Sequence, residues 1–433
     1  MISSKVREFC GKYIGLLITM ASILLLFLLF LPAGGERSRL QIQADMGGSI
    51  TRVACTVNSA RRSPLRNAKL VSDIINALPA RVEVVLMVND RAAFAVAANP
   101  WPDRVSFLEL PMDSTLTIWP QDPFVVMKGA KAQTTLLTSG RFERVDDRLA
   151  GPALAKYFGF QAEQSSLHFE GGNIVADESH VFVGANTIRY NALLRGKPER
   201  EIARQLEVDF GRKLMVVGPL PQPVAHIDMM LTPLGGNAIA LADPAWGARL
   251  ADQELAEAPE RVKDFETLCM ADFFGDPAIP ALLDREGKVI RPPDLLGRTM
   301  VAIAESKAIA PALDHLAEEF AKLGYTVQRV PFLFVAPKEK TGCEEGGPGS
   351  KSDRGSQYRP DYPCLTYNNV LLEEDGGRKI AYLPQYGWEK FDAAARRTWQ
   401  ELGYLIRPVP GFGVSAMYGG SLRCCVKVLA RQE

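Results

Sequence analysis

From about residue 50 onward, short apolar runs alternate with stretches whose apolar positions recur at helical spacing. Runs of four to eight residues rich in Val, Ile, Leu and Phe predict strands, and a three-to-four-residue apolar period predicts amphipathic helices. Arg52–Val57 reads as a strand, Asn67–Leu78 as a helix, and Val82–Val88 and Val105–Leu110 as strands. Phe124–Met127 and Thr134–Thr138 form a predicted strand pair, followed by a helix over Leu149–Phe158. Asn173–Ala176 and Val181–Gly184 pair across the turn residues Asp177-Glu178-Ser179, before a helix at Glu199–Leu206 and a strand at Leu214–Val217. Met229–Leu234 and Ala238–Ala242 pair across Gly235-Gly236, and Ile309–Leu323 is a helix stopped by Gly324. Val370–Leu372 and Ile380–Leu383 pair across Asp375-Gly376-Gly377; a helix at Phe391–Leu402 and a strand at Leu405–Pro408 follow.

The order strand, strand, helix, strand thus recurs about five times without any residue-level repeat. Element order alone is compatible with one closed, roughly circular domain or with an ordinary open α/β sheet. Gly342–Asp361 is the one long stretch without periodicity, and loops of that length are commonly functional or mobile.

The first 35 residues follow a different pattern. Lys5, Arg7 and Lys12 precede an apolar run from Tyr13 to Pro32 that ends in Ala33-Gly34-Gly35. Roughly 20 apolar residues span a bilayer, and basic residues before such a run hold the N-terminus in the cytoplasm. The expectation is a signal anchor, or a signal peptide cleaved near Ala33–Gly35, then a linker over residues 36–50 and one catalytic domain over 51–433. Both readings place that domain outside the cytoplasm.

Composition narrows the chemistry. Of 433 residues, 47% are apolar, enough for a substantial core, and Lys+Arg and Asp+Glu each number 50. A zero balance argues against nucleic acid as a partner, so a cationic substrate must be held by local acids. Seven cysteines are too few for a disulfide scaffold. Cys343 and Cys364 flank the long loop and could staple it, or be two unrelated thiols.

Four segments at predicted strand edges carry chemistry: Trp119-Pro-Gln-Asp122-Pro-Phe, His168-Phe-Glu170-Gly-Gly-Asn173, His226-Ile-Asp228, and Gly419-Gly-Ser-Leu-Arg-Cys424-Cys425. In this order they resemble the guanidino-group-modifying, or pentein, superfamily, which includes arginine, agmatine and peptidyl-arginine deiminases, dimethylarginine hydrolases and amidinotransferases. The resemblance covers about residues 50–433. It extends to Tyr367-Asn-Asn-Val and Leu383-Pro-Gln-Tyr-Gly387, which are similar to that family's final repeat. It departs from the family at Gln121, where many relatives carry Arg, and at Cys425, where most carry no thiol.

The resemblance implies a five-bladed α/β propeller of ββαβ units. It also implies a hydrolase acting on the C–N bond of a linear amidine, with no cofactor and no metal. A guanidinium is planar and always charged, and carboxylates bind it through paired hydrogen bonds. Asp122 and Asp228 are the expected forks, with Glu170 a third acid. Cys424 is the expected nucleophile, and His226 the acid and base. On a strand, Cys424 and Cys425 would face opposite sides, and His226 and Asp228 would share a side with Ile227 opposite. Trp119, Asn173, Arg141 and Arg189 are further candidates for substrate contact. His180 and His315 are expected on the surface. The implied substrate is agmatine, arginine or peptidyl arginine. The alternatives are an amidinotransferase of the same fold, or an inactive binding module.

Overall fold

The computed structural model describes residues 40–57, 67–89, 91, 103–114, 116–129, 133–142, 144–218, 222–274, 296–335, 362–417 and 419–432. The apolar N-terminal run, Cys343 and the loop 342–361 lie outside the described residues, so the anchor and the Cys343–Cys364 pairing are not placed. Among the described residues no helix is long and apolar enough to cross a membrane.

Five small sheets make up the fold, each built on one pairing rule. An antiparallel pair is followed by helix, and the chain then returns parallel to the second strand. Phe124–Lys128 and Thr134–Thr138 pair antiparallel, helix Ala150–Phe158 crosses over, and Gln161–Gln164 adds in parallel. Ile174–Ala176, His180–Gly184 and Lys213–Val217 repeat this around two helices, Ala185–Arg195 and Glu199–Phe210. Leu231–Gly235, Ala238–Asp243 and Thr326–Leu333 do so around helices Pro244–Glu257, Pro259–Phe274 and Arg298–Lys322. Leu371–Asp375, Arg378–Pro384 and Leu405–Val409 do so around helix Glu389–Glu401. In the fifth sheet the unit is split across the chain. The C-terminal strand Lys427–Gln432 pairs antiparallel with Ser49–Thr56, helix Ala68–Ala77 follows, and Glu83–Val88 returns in parallel.

Local physics explains most elements. Helix Ala68–Ala77 buries Leu70, Val71, Ile74 and Ile75, one face of a 3.6-residue repeat, worth about 1.5–3 kcal/mol per fully buried side chain. Helix Ala150–Phe158 ends at Gly159, whose φ of 69° is a left-handed cap.

Three expectations need correction. The helix expected from Ile309 begins at Arg298 and runs through Pro311. Proline is best tolerated in a first turn, so sequence alone starts the helix beside it. Strand Gln161–Gln164 is exposed throughout and has no apolar period to detect. Residues 40–47, expected as linker, are built into the fold. Gln41–Ile42 pairs with Phe124–Lys128, and Asp45 and Ala176 exchange hydrogen bonds.

Candidate active site

Asp122 follows the turn Trp119-Pro120-Gln121, with its N–H donating to the Trp119 carbonyl at 3.3 Å. Its Oδ1 accepts from the Gly172 N–H at 3.2 Å and lies 3.6 Å from His226 Nδ1. His226 Nε2 is 2.5 Å from Glu170 Oε2. The two glycines after Glu170 are required by space. A Cβ on Gly172 would lie 2.4 Å from His226 Nδ1, and one on Gly171 would lie 2.1 Å from the Gln121 carbonyl oxygen. We therefore expect Gly172→Ala to displace the imidazole and lower kcat about a hundredfold, since a misplacement of roughly 1 Å costs that much. Circular dichroism should show an unchanged fold.

His226 and Asp228 do not lie on a strand. Ile227–Met229 is a single 3-10 turn entered from extended backbone at His226. The turn still sends His226 to Asp122 and Glu170, and Asp228 toward Cys424, while Ile227 is buried in an apolar cluster. Asn173 secures this segment. Its Oδ1 accepts from the Ile227 N–H at 3.1 Å and from Gln222 at 3.0 Å, and its Nδ2 donates to Asn186 and Thr187. Both side-chain atoms of Asn173 are engaged by the scaffold.

Cys424 is also not on a strand. Leu422–Cys425 forms one helix-like turn before the last strand, with the Cys425 N–H donating to Ser421 and Leu422 carbonyls. The turn, and not strand alternation, separates the thiols. Cys424 joins the cluster beside Asp228 and Met229, and Cys425 packs into the largest apolar core. The Cys424 Sγ is 3.9 Å from Asp228 Oδ2, and the residue is 3% exposed. A Cβ on Gly420 would lie 2.4 Å from the Trp119 ring, so the glycine lets Trp119 pack over the turn that carries Cys424.

Two residues that motifs alone did not assign a role complete the set. Asn369 grips Cys424 twice, accepting from its N–H at 3.1 Å and donating Nδ2 to Sγ at 3.3 Å. Asn369→Ala leaves a buried N–H unpaired, a loss of about 1–3 kcal/mol, and should lower kcat by roughly one to two orders of magnitude with KM nearly constant. Arg423 donates to Asp228 Oδ2 at 2.8 Å, to Asp45 Oδ1 at 2.8 and 3.0 Å, and to the Ile174 carbonyl at 2.9 Å. Asp228 Oδ1 is buried and accepts from no group among the described residues.

The expected arginines are elsewhere. Arg189 is exposed on helix Ala185–Arg195. Arg141 is exposed too, and its carbonyl accepts from the Ser139 hydroxyl and meets His168 Nδ1. The arginine at the cluster is Arg144, whose Nη2 donates to Asp122 Oδ2 at 2.6 Å. Nothing in the sequence separates it from Arg141 and Arg148. His315 is exposed, but His180 is half-buried and bonded to the Tyr325 hydroxyl at 2.9 Å.

The electrostatics are tightly coupled. Burial opposes a charge on His226, but Asp122 and Glu170 outweigh it and raise its pKa to about 9. Burial opposes ionisation of Glu170, but His226 first, and then Arg144, pull its carboxyl down to about 2. The Cys424 thiol is pushed well up, by burial and then by Asp228 and Asp122. Among the described residues no group of three or more His, Cys, Asp or Glu is arranged to hold a metal ion.

No family model and no curated protein sequence matches the chain. Solved structures do. The agmatine deiminase of C. jejuni is 15% identical with a TM-score of 0.55, over 91% of this chain and 96% of that one. A substrate-bound cysteine-to-serine form of the C. jejuni enzyme has a TM-score of 0.53 at 14% identity, covering 90% of this chain and 96% of that one. The agmatine deiminase of Enterococcus faecalis is 12% identical with a TM-score of 0.53, over 91% and 96%. The fold is therefore the one that these agmatine deiminases share, and the likeness extends over about nine-tenths of this chain.

Proposed function

We propose that this protein is a cysteine-dependent hydrolase that deiminates the guanidino group of an arginine-like molecule. One observation carries the reading: a buried acid, Asp228, has one oxygen without a partner among the described residues while its other oxygen lies 3.9 Å from the thiol of Cys424. Such an oxygen is a ready acceptor for a guanidinium N–H. The five sheets, in one of which the last strand Lys427–Gln432 pairs with Ser49–Thr56, support a closed five-bladed propeller around this point.

In the proposed reaction the guanidinium binds between Asp122 and Asp228, with Glu170 on its remaining edge. Its charge lowers the pKa of the Cys424 thiol, which loses its proton to solvent water. The thiolate sulfur attacks the central carbon, forming a C–S bond. His226 protonates the departing nitrogen, the C–N bond breaks, and ammonia leaves an S-alkylthiouronium. Water attacks the same carbon as His226 takes its proton. The C–S bond then breaks, giving the ureido product and the thiol. An amine in place of water would give amidinotransfer on the same residues.

The test is release of ammonia and ureido product from a panel of agmatine, arginine, methylated arginine, and peptides with internal or C-terminal arginine. Equal amounts of both products from at least one member are expected. Transfer to an added amine without ammonia release would reassign the reaction, and inertness toward the whole panel would overturn it. The N-terminal apolar run supports a site outside the cytoplasmic membrane, tethered or released by cleavage. A C-terminal reporter active only in the cytoplasm would reject that location.

A further inference from the structure

Each oxygen of Asp122 already has a protein partner. Its Oδ1 faces Gly172 and His226, and its Oδ2 holds Arg144 Nη2 at 2.6 Å. The same guanidinium lies 4.0 Å from Glu170 Oε1. Two of the three acids proposed to receive a substrate guanidinium are therefore facing one of the protein's own.

Two arginines touch the site acids, and they are held differently. Arg423 is enclosed, with its side chain 8% exposed, and donates to Asp45, Asp228 and two backbone carbonyls. Removing it from Asp228 would break that whole frame. The Arg144 side chain is 29% exposed, is held by carboxylates alone, and lies over the Phe142 ring at 4.9 Å. Its Nε is 2.9 Å from Asp147 Oδ2, but the N–H is not aimed at that oxygen. Asp147 is itself fixed, accepting from the Thr117 N–H at 2.8 Å and hydroxyl at 2.6 Å. Arg144 thus has an ion pair with Asp147 without a directed hydrogen bond at Nε, and one short hydrogen bond at Nη2.

We propose that Arg144 is a resident guanidinium that occupies Asp122 in the free protein and is displaced by the guanidinium of the substrate. It turns outward about its ion pair with Asp147, which keeps its charge compensated while Asp122 Oδ2 passes to the ligand. The residue is then specificity-determining. Only a ligand able to match the planar, charged fork that it replaces can open the site, and neutral amides and ureas cannot. The ureido product, being neutral, competes poorly with the returning Arg144, which favours release. A competing internal cation also lowers apparent affinity by the fraction of sites that it blocks.

This inference rests on the deiminase reading, so binding and turnover are measured separately. Agmatine, arginine and an internal-arginine peptide are titrated calorimetrically into Cys424→Ser protein with Arg144 intact, and with Arg144→Gln or Arg144→Lys added. With the best ligand, Arg144→Gln should tighten binding about tenfold. In the protein that retains Cys424 it should lower KM by a similar factor and speed labelling of Cys424 by 2-chloroacetamidine. Arg144→Lys, which keeps the charge without the fork, should fall between the two and serves if the glutamine variant does not fold. Weaker binding or a raised KM in Arg144→Gln would make Arg144 a substrate-holding group and overturn the proposal while the deiminase reading stands. Tighter binding without turnover in any form would leave the proposal standing and defeat that reading. No guanidine binding in any form would overturn both.

Discussion

Replacing Cys424 with serine is expected to lower turnover by about a thousandfold or more without unfolding the protein, because a hydroxyl there cannot supply the thiolate that opens the covalent route. Cys425→Ser is expected to keep turnover within a few-fold, at a stability cost on the order of 1 kcal/mol. The two thiols are neighbours in one turn, yet only Cys424 lies beside Asp228 and is gripped by Asn369. Burial and the acids Asp228 and Asp122 hold its pKa well above that of a free thiol. In the proposed reaction the empty protein is therefore a poor nucleophile, and a bound cation would switch it on. Cationic 2-chloroacetamidine should label Cys424 faster than neutral iodoacetamide, with the adduct located by peptide mapping. An adduct on Cys425, or equal losses in the two serine variants, would show that the nucleophile is the other thiol.

The second large effect concerns pH. His226 must carry a proton to release ammonia, and with its pKa near 9 it carries one throughout the neutral range. Activity that needs this acid is present below that value and falls as pH rises through it. Glu170 raises the imidazole pKa by its charge and by its hydrogen bond. In Glu170→Gln the alkaline limb of the kcat profile should move toward lower pH. Asp122 is the largest charge acting to raise the imidazole and remains in place, so the shift should stop short of the unperturbed value of about 6.5. A Glu170→Gln profile with the alkaline limb unmoved would disconnect this pair from the rate.

Local patterning carried the elements far. Strand Thr134–Thr138 has the bounds that its β-branched run predicts, and most other expected elements differ by only a few residues. Those signals are short-range: apolar period, glycine caps and turn pairs. Elements without such a signal were invisible, among them the wholly exposed strand Gln161–Gln164 and the part of helix Arg298–Lys322 before Ile309. The motifs likewise named the acids, the histidine and the thiol, because the chemistry of a guanidinium demands those side chains. They gave the wrong local geometry at His226-Ile227-Asp228 and at Cys424-Cys425. Alternation along a strand and one tight turn can both separate neighbouring side chains.

By itself the sequence determined an α/β chain of repeated strand–strand–helix–strand units, with the five groups Asp122, Glu170, His226, Asp228 and Cys424 in order along it. These are properties of residue type and spacing. Only the tertiary structure decided what those groups meet. Arg144 reaches Asp122 across 22 residues, Asn369 reaches Cys424 across 55, and Arg423 reaches Asp45 across 378. None of these pairings has a local signature, because each depends on where separate sheets bring their edges together. The physical reason is charge and burial. A buried carboxylate must find a partner, and which arginine supplies it is settled by the packing of the whole chain.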